Sequence, residues 1–187
     1  PAAGSPGSLT VKMDREQALL MLGFRTVAMN SPDRYPLNVL SGLLSGRSGR
    51  LFMALREKSG LAYTMGSLQK LGFDTGFILF YAATTIDKLS EAKKLLFNEI
   101  SAIKQGLITE DELDAAKKEL ICSQDVLMET NSANSFQAAL DELYGLGYDN
   151  LYKFESETNK VTKYDIIRVA DKYLDMNSCA EVVIQPE

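Results

Sequence analysis

Two stretches with strand chemistry, residues 62–68 and 76–84, are joined by a Gly- and Asp-containing turn and lie between two blocks that read as helix. The order in which these pieces occur limits the fold more than any single residue does. Upstream, QALLMLGFRTVA at residues 17–28 is long enough to cross a sheet, and its early apolar run predicts a strand buried on both faces. Asp33 then predicts a helix N-cap, with Pro36 in the first turn, where a missing N–H costs little. The helix LNVLSGLL follows and is interrupted by SGRSGR. A second helix, LFMALREK, ends at Ser59-Gly60, where glycine can take the left-handed turn.

The C-terminal half reads mostly as helix. In IDKLSEAKKLLFNEISAIKQG, one stripe holds Leu89, Ala92, Leu95, Leu96, Ile100 and Ile103 and stops at Gly106. Thr109 with Glu112, and Thr162 with Asp165, have capping-box spacing; the second pair precedes Ile166, Ile167, Val169 and Ala170. CAEVVI predicts a short closing strand. The order β-α-α-β-β, then helices, then a last strand predicts an α+β fold: two layers, with helices packed on one face of an antiparallel-dominated sheet. Residues 1–14, rich in Pro, Gly, Ala and Ser, read as a linker or disordered segment, and 15–187 as a single α+β domain. A chain of 187 residues can bury roughly 70% of its unfolded surface and needs neither metal nor disulfide for a core. The opening PAAGSPGS has no initiator methionine and no signal pattern, which suggests a fragment of something longer or a processed product.

Chemistry is bounded mainly by what is missing. The net charge of −5 disfavours a nucleic-acid backbone or an anionic membrane as the main partner, and no run of 18 apolar residues could span a bilayer. The chain contains no histidine, so Ser-His-Asp and Cys-His triads and His-bearing zinc sites are all excluded. No Cys or carboxylate cluster has replacement spacing, so no metal is expected on this chain. SGRSGR is not a P-loop, because no Gly-Lys-Ser/Thr follows a strand, and no G-x-G-x-x-G lies in a β-α-β unit. The acidic runs TEDELD and DEL at 141–143 lack EF-hand spacing and read as solvated helix faces. Cys122 and Cys179 read as small buried side chains.

One stretch stands out. LREKSGLAY at residues 55–63 carries Arg56 into a helix end and Tyr63 into the start of a strand. Separately, Arg56 would complement the helix dipole and Tyr63 would be a half-buried packing residue. Together, on a helix that turns at Gly60 straight into a strand, they lie near one sheet edge, where a guanidinium and a phenol could converge on a developing oxyanion.

SGRSGRLFMALREKSGLAYTMG resembles the glycine-rich block of the pitrilysin/insulinase-type zinc metallopeptidases, and SPDRYPLNVLSGLLSG and the segment from Asp87 to Leu120 are similar to that family's helices. The resemblance covers nearly the whole chain after its first dozen residues. It implies a domain of the clamshell type that lacks the inverted H-x-x-E-H motif and faces a zinc-bearing peptidase domain, on the same or a separate chain. On this resemblance Arg56 and Tyr63 match the pair that reaches the scissile carbonyl; Gly46 and Gly49 match a turn shaping access of peptide or unfolded polypeptide substrate. The alternative for the glycines is a tight helix–helix turn. Arg50 reads as a structural ion pair. Zinc is expected in the partner domain, and the chain alone is expected to cleave nothing. A different class of function stays open, a non-proteolytic scaffold like the core subunits of respiratory complexes. An enzyme built on Cys122 or a serine has no evident means of activating its nucleophile.

Overall fold

The computed structural model describes residues 7–46, 49–58 and 60–187, with residues 56–58 described by backbone alone. Among the described residues five strands form one sheet: β1 (Ser8–Met13), β2 (Ala18–Thr26), β3 (Thr64–Lys70), β4 (Gly76–Thr84) and β5 (Ala180–Pro186). Their order is β1-β5-β2-β4-β3; β1 and β5 are parallel, and the other pairs are antiparallel. The helices are α1 (Arg34–Ser45), α2 (Leu89–Lys104), α3 (Glu110–Leu127), α4 (Asn131–Leu143), α5 (Phe154–Lys160) and α6 (Lys163–Tyr173). A wider-turned π-helical segment, Phe52–Lys58, links α1 to β3. The expected two-layer α+β architecture is the one observed.

Period-2 alternation in β2 and β4 creates the core face. Ala18, Leu20, Leu22 and Phe24 point inward from β2, and Ile78, Phe80 and Ala82 from β4. Leu22 and Phe80 are cross-strand partners, and Phe24 meets Phe80 edge-on with centroids 6.1 Å apart. Helical spacing supplies the facing layer: Leu37, Leu40 and Leu44 from α1; Ala92, Leu96, Ile100 and Ile103 from α2; Ile166, Val169 and Ala170 from α6. Each fully buried Leu, Ile or Phe contributes about 1.5–3 kcal/mol, so one Leu40→Ala change removes a large share of the margin of a domain this size. Both capping boxes form, at Thr109/Glu112 and Thr162/Asp165, and Gly106 ends the helical run with φ +74°.

Several expectations are corrected. Residues 8–13, placed in the linker, form an edge strand; Leu9, Val11 and Met13 alternate, and their backbone pairs in parallel with β5 from Ser8↔Glu181 to Met13↔Pro186. The glycine- and proline-rich start obscured that alternation. The strand expected over 17–28 spans Ala18–Thr26 and is fully buried on one face only: Leu19 and Met21 are half-buried and Arg25 is exposed. Asp33 precedes α1 but makes no side-chain cap, because its carboxylate faces α6 instead. Asp141, expected on a solvated face, is buried. Cys122 is exposed and Cys179 buried, both as free thiols. The inward stripe of α3 runs through Leu113, Ala116 and Leu120, and a residue two positions past Leu120 points away from it.

Candidate functional site

The segment from Leu55 to Tyr63 is held by backbone bonds that its sequence did not announce. The carbonyl of Leu55 accepts from both Leu61 N (2.7 Å) and Ala62 N (3.0 Å), closing the wide turn that ends the π-helical segment. Gly60 makes the reversal at φ +57°, a conformation costly for residues with a Cβ. Leu61 and Ala62 then bury their side chains. The buried Thr84 hydroxyl donates to Leu61 O, and Lys88 Nζ donates to Gly60 O at 3.3 Å. Tyr63 N donates to Ala83 O at 2.9 Å, so Tyr63 enters the sheet edge already paired with β4.

These contacts fix the backbone of Tyr63 while leaving its side chain 63% exposed. A phenol on a pinned backbone at a sheet edge is available to a group arriving from outside the domain. Arg56 lies in the π-helical segment, and its side chain, with the expected convergence on Tyr63, lies outside the described residues. π-turns recur where a helix re-aims side chains at functional sites, and this one directly precedes the reversal at Gly60.

The other expected positions have clear local roles. Gly46 follows α1 and donates to Gly42 O, and Gly49 N donates to Gly46 O, each at 2.8 Å. A Cβ on Gly46 would come within 2.7 Å of Gly42 O and of the Glu119 carboxylate, and one on Gly49 within 2.6 Å of Gly46 N. A side chain at either position would therefore crowd neighbouring atoms. Arg50 grips Glu112 with two bonds, Nε to Oε1 at 3.0 Å and Nη2 to Oε2 at 2.8 Å, and Nη2 also meets Leu107 O. Burial alone would raise the Glu112 pKa, but the Arg50 hydrogen bond and the Thr109 backbone N–H outweigh it and hold the carboxyl below its ordinary value. Arg50 is an ion-pair residue, as read from the sequence.

Among the described residues no group of three or more His, Cys, Asp or Glu could hold a metal ion, and none of the helices is long and apolar enough to cross a membrane. With no histidine in the chain, this donor set does not fit a peptidase zinc.

Residues 3–120 match the family model described as the peptidase M16 inactive domain. The chain belongs to that family. A Rickettsia bellii protein described as an uncharacterized zinc protease is 29% identical over 191 residues, covering 98% of this chain and 45% of that protein. The chain spans less than half the length of the curated relatives it matches. Among solved structures, the M16 inactive domain from Pseudomonas fluorescens superposes with TM-score 0.89 at 23% identity, over 100% of this chain and 45% of that one. A chain of complex III2 from Candida albicans has the same fold, with TM-score 0.84 at 14% identity over 96% of this chain and 46% of that one. This M16 inactive domain is thus, as the sequence resemblance implied, a non-catalytic domain of the pitrilysin-type zinc protease family. Sequence reasoning missed the anchors of its 55–63 segment: Thr84 reads as an ordinary strand end and Lys88 as a helix-start residue, and neither position carried a signal for the contact it makes.

Proposed function

We propose that this domain completes a peptidase active site whose metal lies on a second, zinc-bearing domain, and that it does so with Arg56 and Tyr63. The observation that carries the proposal is Tyr63: five hydrogen bonds hold the backbone of residues 60–63, yet the phenol is open to solvent. Preorganised donors are effective because they need no rearrangement as charge develops on the substrate oxygen. Arg56 brings a permanent positive charge and Tyr63 a neutral O–H, and both would donate to the carbonyl oxygen of a bound peptide. Gly46 and Gly49 would keep the neighbouring turn low enough for an extended chain to pass. The substrate is a peptide or unfolded polypeptide.

The test uses the full polypeptide that carries this chain, or this chain assembled with the zinc-bearing domain. Tyr63→Phe and Arg56→Ala are each expected to lower kcat by about 10²–10³, the usual cost of one lost oxyanion donor, with little change in KM. Wild-type turnover in both variants would remove the catalytic role.

A second reading, a scaffold without hydrolysis, is supported by the fold shared with a chain of complex III2. Under it, the same two substitutions leave assembly and activity of the parent complex unchanged, and the full polypeptide hydrolyses no peptide with or without a chelator.

A further inference from the structure

Of the thirteen residues of α4, only one is buried, and it is a carboxylate: Asp141, 3% exposed. Charged groups are rarely buried so deeply unless a counter-charge lies beside them. Asp141 has none. Its Oδ1 accepts from Gln137 Nε2 at 2.9 Å and its Oδ2 from Asn150 Nδ2 at 3.0 Å, both neutral amides, and it enters no ion pair among the described residues. A carboxylate has about four acceptor positions, so roughly two are left over.

The cation nearest in the network is held back from it. Arg34 donates through Nη1 to Met29 O at 2.7 Å, and through Nη2 to Tyr35 Oη at 2.6 Å and Asn150 Oδ1 at 2.7 Å. Its guanidinium also lies 4.5 Å from the centre of the Tyr35 ring. Asn150 therefore stands between the two charges, accepting from Arg34 and donating to Asp141. Asp141, Asn150 and Arg34 all line a cavity of about 340 Å³ walled by Tyr35, Tyr144 and Phe154, so a cation beside Asp141 shares the space with a guanidinium already committed to Met29 O, Tyr35 and Asn150. That volume lies at the lower end of small-ligand pockets, and aromatic walls beside a carboxylate favour an organic cation over a hydrated metal.

We propose that this cavity between α1, α4 and the turn before α5 binds a compact organic cation, a guanidinium or primary ammonium group, with Asp141 as its counter-ion. The site lies apart from residues 55–63 and does not depend on the peptidase reading. The cation comes from a free ligand or from a basic side chain elsewhere in the parent polypeptide.

The test titrates ethylguanidinium, with N-ethylurea as its neutral isostere, into the isotopically labelled chain and follows the side-chain amide signals of Gln137 and Asn150. Saturable shifts with ethylguanidinium and none with N-ethylurea are expected. Asp141→Asn is expected to abolish the response, and Gln137→Glu, which adds a second carboxylate, to tighten binding several-fold. Equal responses to the two probes, no saturation with either, or a Gln137→Glu variant that binds no tighter each overturn the site. Repeating the titration on the full polypeptide separates the sources: a response that persists there marks a free ligand, and one seen only with this chain marks an internal basic residue.

Discussion

The hydroxyl of Tyr173, the last residue of α6, donates to Asp33 Oδ2 at 2.6 Å, joining the entrance of α1 to the far end of a helix 140 positions later. Arg168 Nη1 reaches Oδ1 of the same carboxylate at 2.7 Å, and Lys172 Nζ reaches Oδ2 at 3.1 Å. Three donors within about a turn and a half of α6 thus converge on one buried acid, and α6 is clamped to α1 above the sheet. Burial alone would raise the pKa of Asp33, but the bonds from Tyr173, Arg168 and Lys172 prevail and lower it to about 2.

A group whose folded-state pKa is depressed stabilises the fold above its unfolded pKa and loses that contribution as pH falls through the folded value. For Asp33 the window runs from about pH 4 down to about pH 2, and its contribution at neutral pH is on the order of 2 kcal/mol. Asp33→Asn is expected to lower stability at pH 7 by about that amount and to flatten the acid limb. Urea midpoints at pH 7, 4 and 2.5 would check this. Equal losses in wild type and variant between pH 4 and pH 2.5 would mean that another carboxylate drives the acid transition.

Glu112 serves two structures at once. It closes the capping box of α3 through Thr109 and receives the two-pronged grip of Arg50. Glu112→Gln keeps its size and part of its hydrogen bonding but removes the charge, and is expected to cost about 1–2 kcal/mol. Thr109→Ala, which touches only the cap, should cost less. Denaturant midpoints of the two variants give the comparison; equal losses would mean that the Arg50 contact contributes nothing measurable.

What could be read beforehand, and what could not, follows from the range of the forces involved. The α2 stripe from Leu89 to Ile103, the two capping boxes and the hairpin at 62–84 depend on neighbours within a few positions, so their patterns appear in the local sequence. Asp33 shows the opposite case. Its type and place suit an N-cap, and only the arrival of α6 diverts its carboxylate. Asp141 looks like part of a solvated acidic run because the amides that bury it, Gln137 and Asn150, are not distinctive in type. In the candidate site, the glycine reversal at Gly60 was visible, and so was the strand after it, expected from Ala62 and found from Thr64. The contacts from Thr84 and Lys88 that make the reversal rigid were not, since they arise from β4 and the start of the next helix.

The two faces of β4 differ enough to be tested against each other. Phe80 is fully buried under the helices, while Phe77, three residues earlier on the other face, is 42% exposed. Phe80→Ala is expected to cost about 3–5 kcal/mol, and Phe77→Ser about 0.5 kcal/mol or less. Thermal or urea unfolding of the chain reads both. A large loss from Phe77→Ser would mean that the open face is covered in solution, for example by self-association, which light scattering of the same sample would reveal.

Gly60 offers the cleanest separation of backbone strain from crowding. Its φ of +57° is left-handed, and a Cβ built there meets nothing within 4 Å. Gly60→Ala therefore carries only the conformational cost, about 1–2 kcal/mol, whereas Gly60→Asn, a residue that tolerates this region, should lie closer to wild type. Gly46→Ala makes the contrast, because there the added carbon lands 2.7 Å from the Gly42 carbonyl and the cost is steric. Asparagine at position 46 should accordingly be worse than alanine, the reverse of the order at position 60. Stability measurements on the four variants decide it. Asparagine no better than alanine at position 60 would show that Gly60 does not hold its left-handed turn in solution, and with it would go the fixed approach of Tyr63 to the sheet edge.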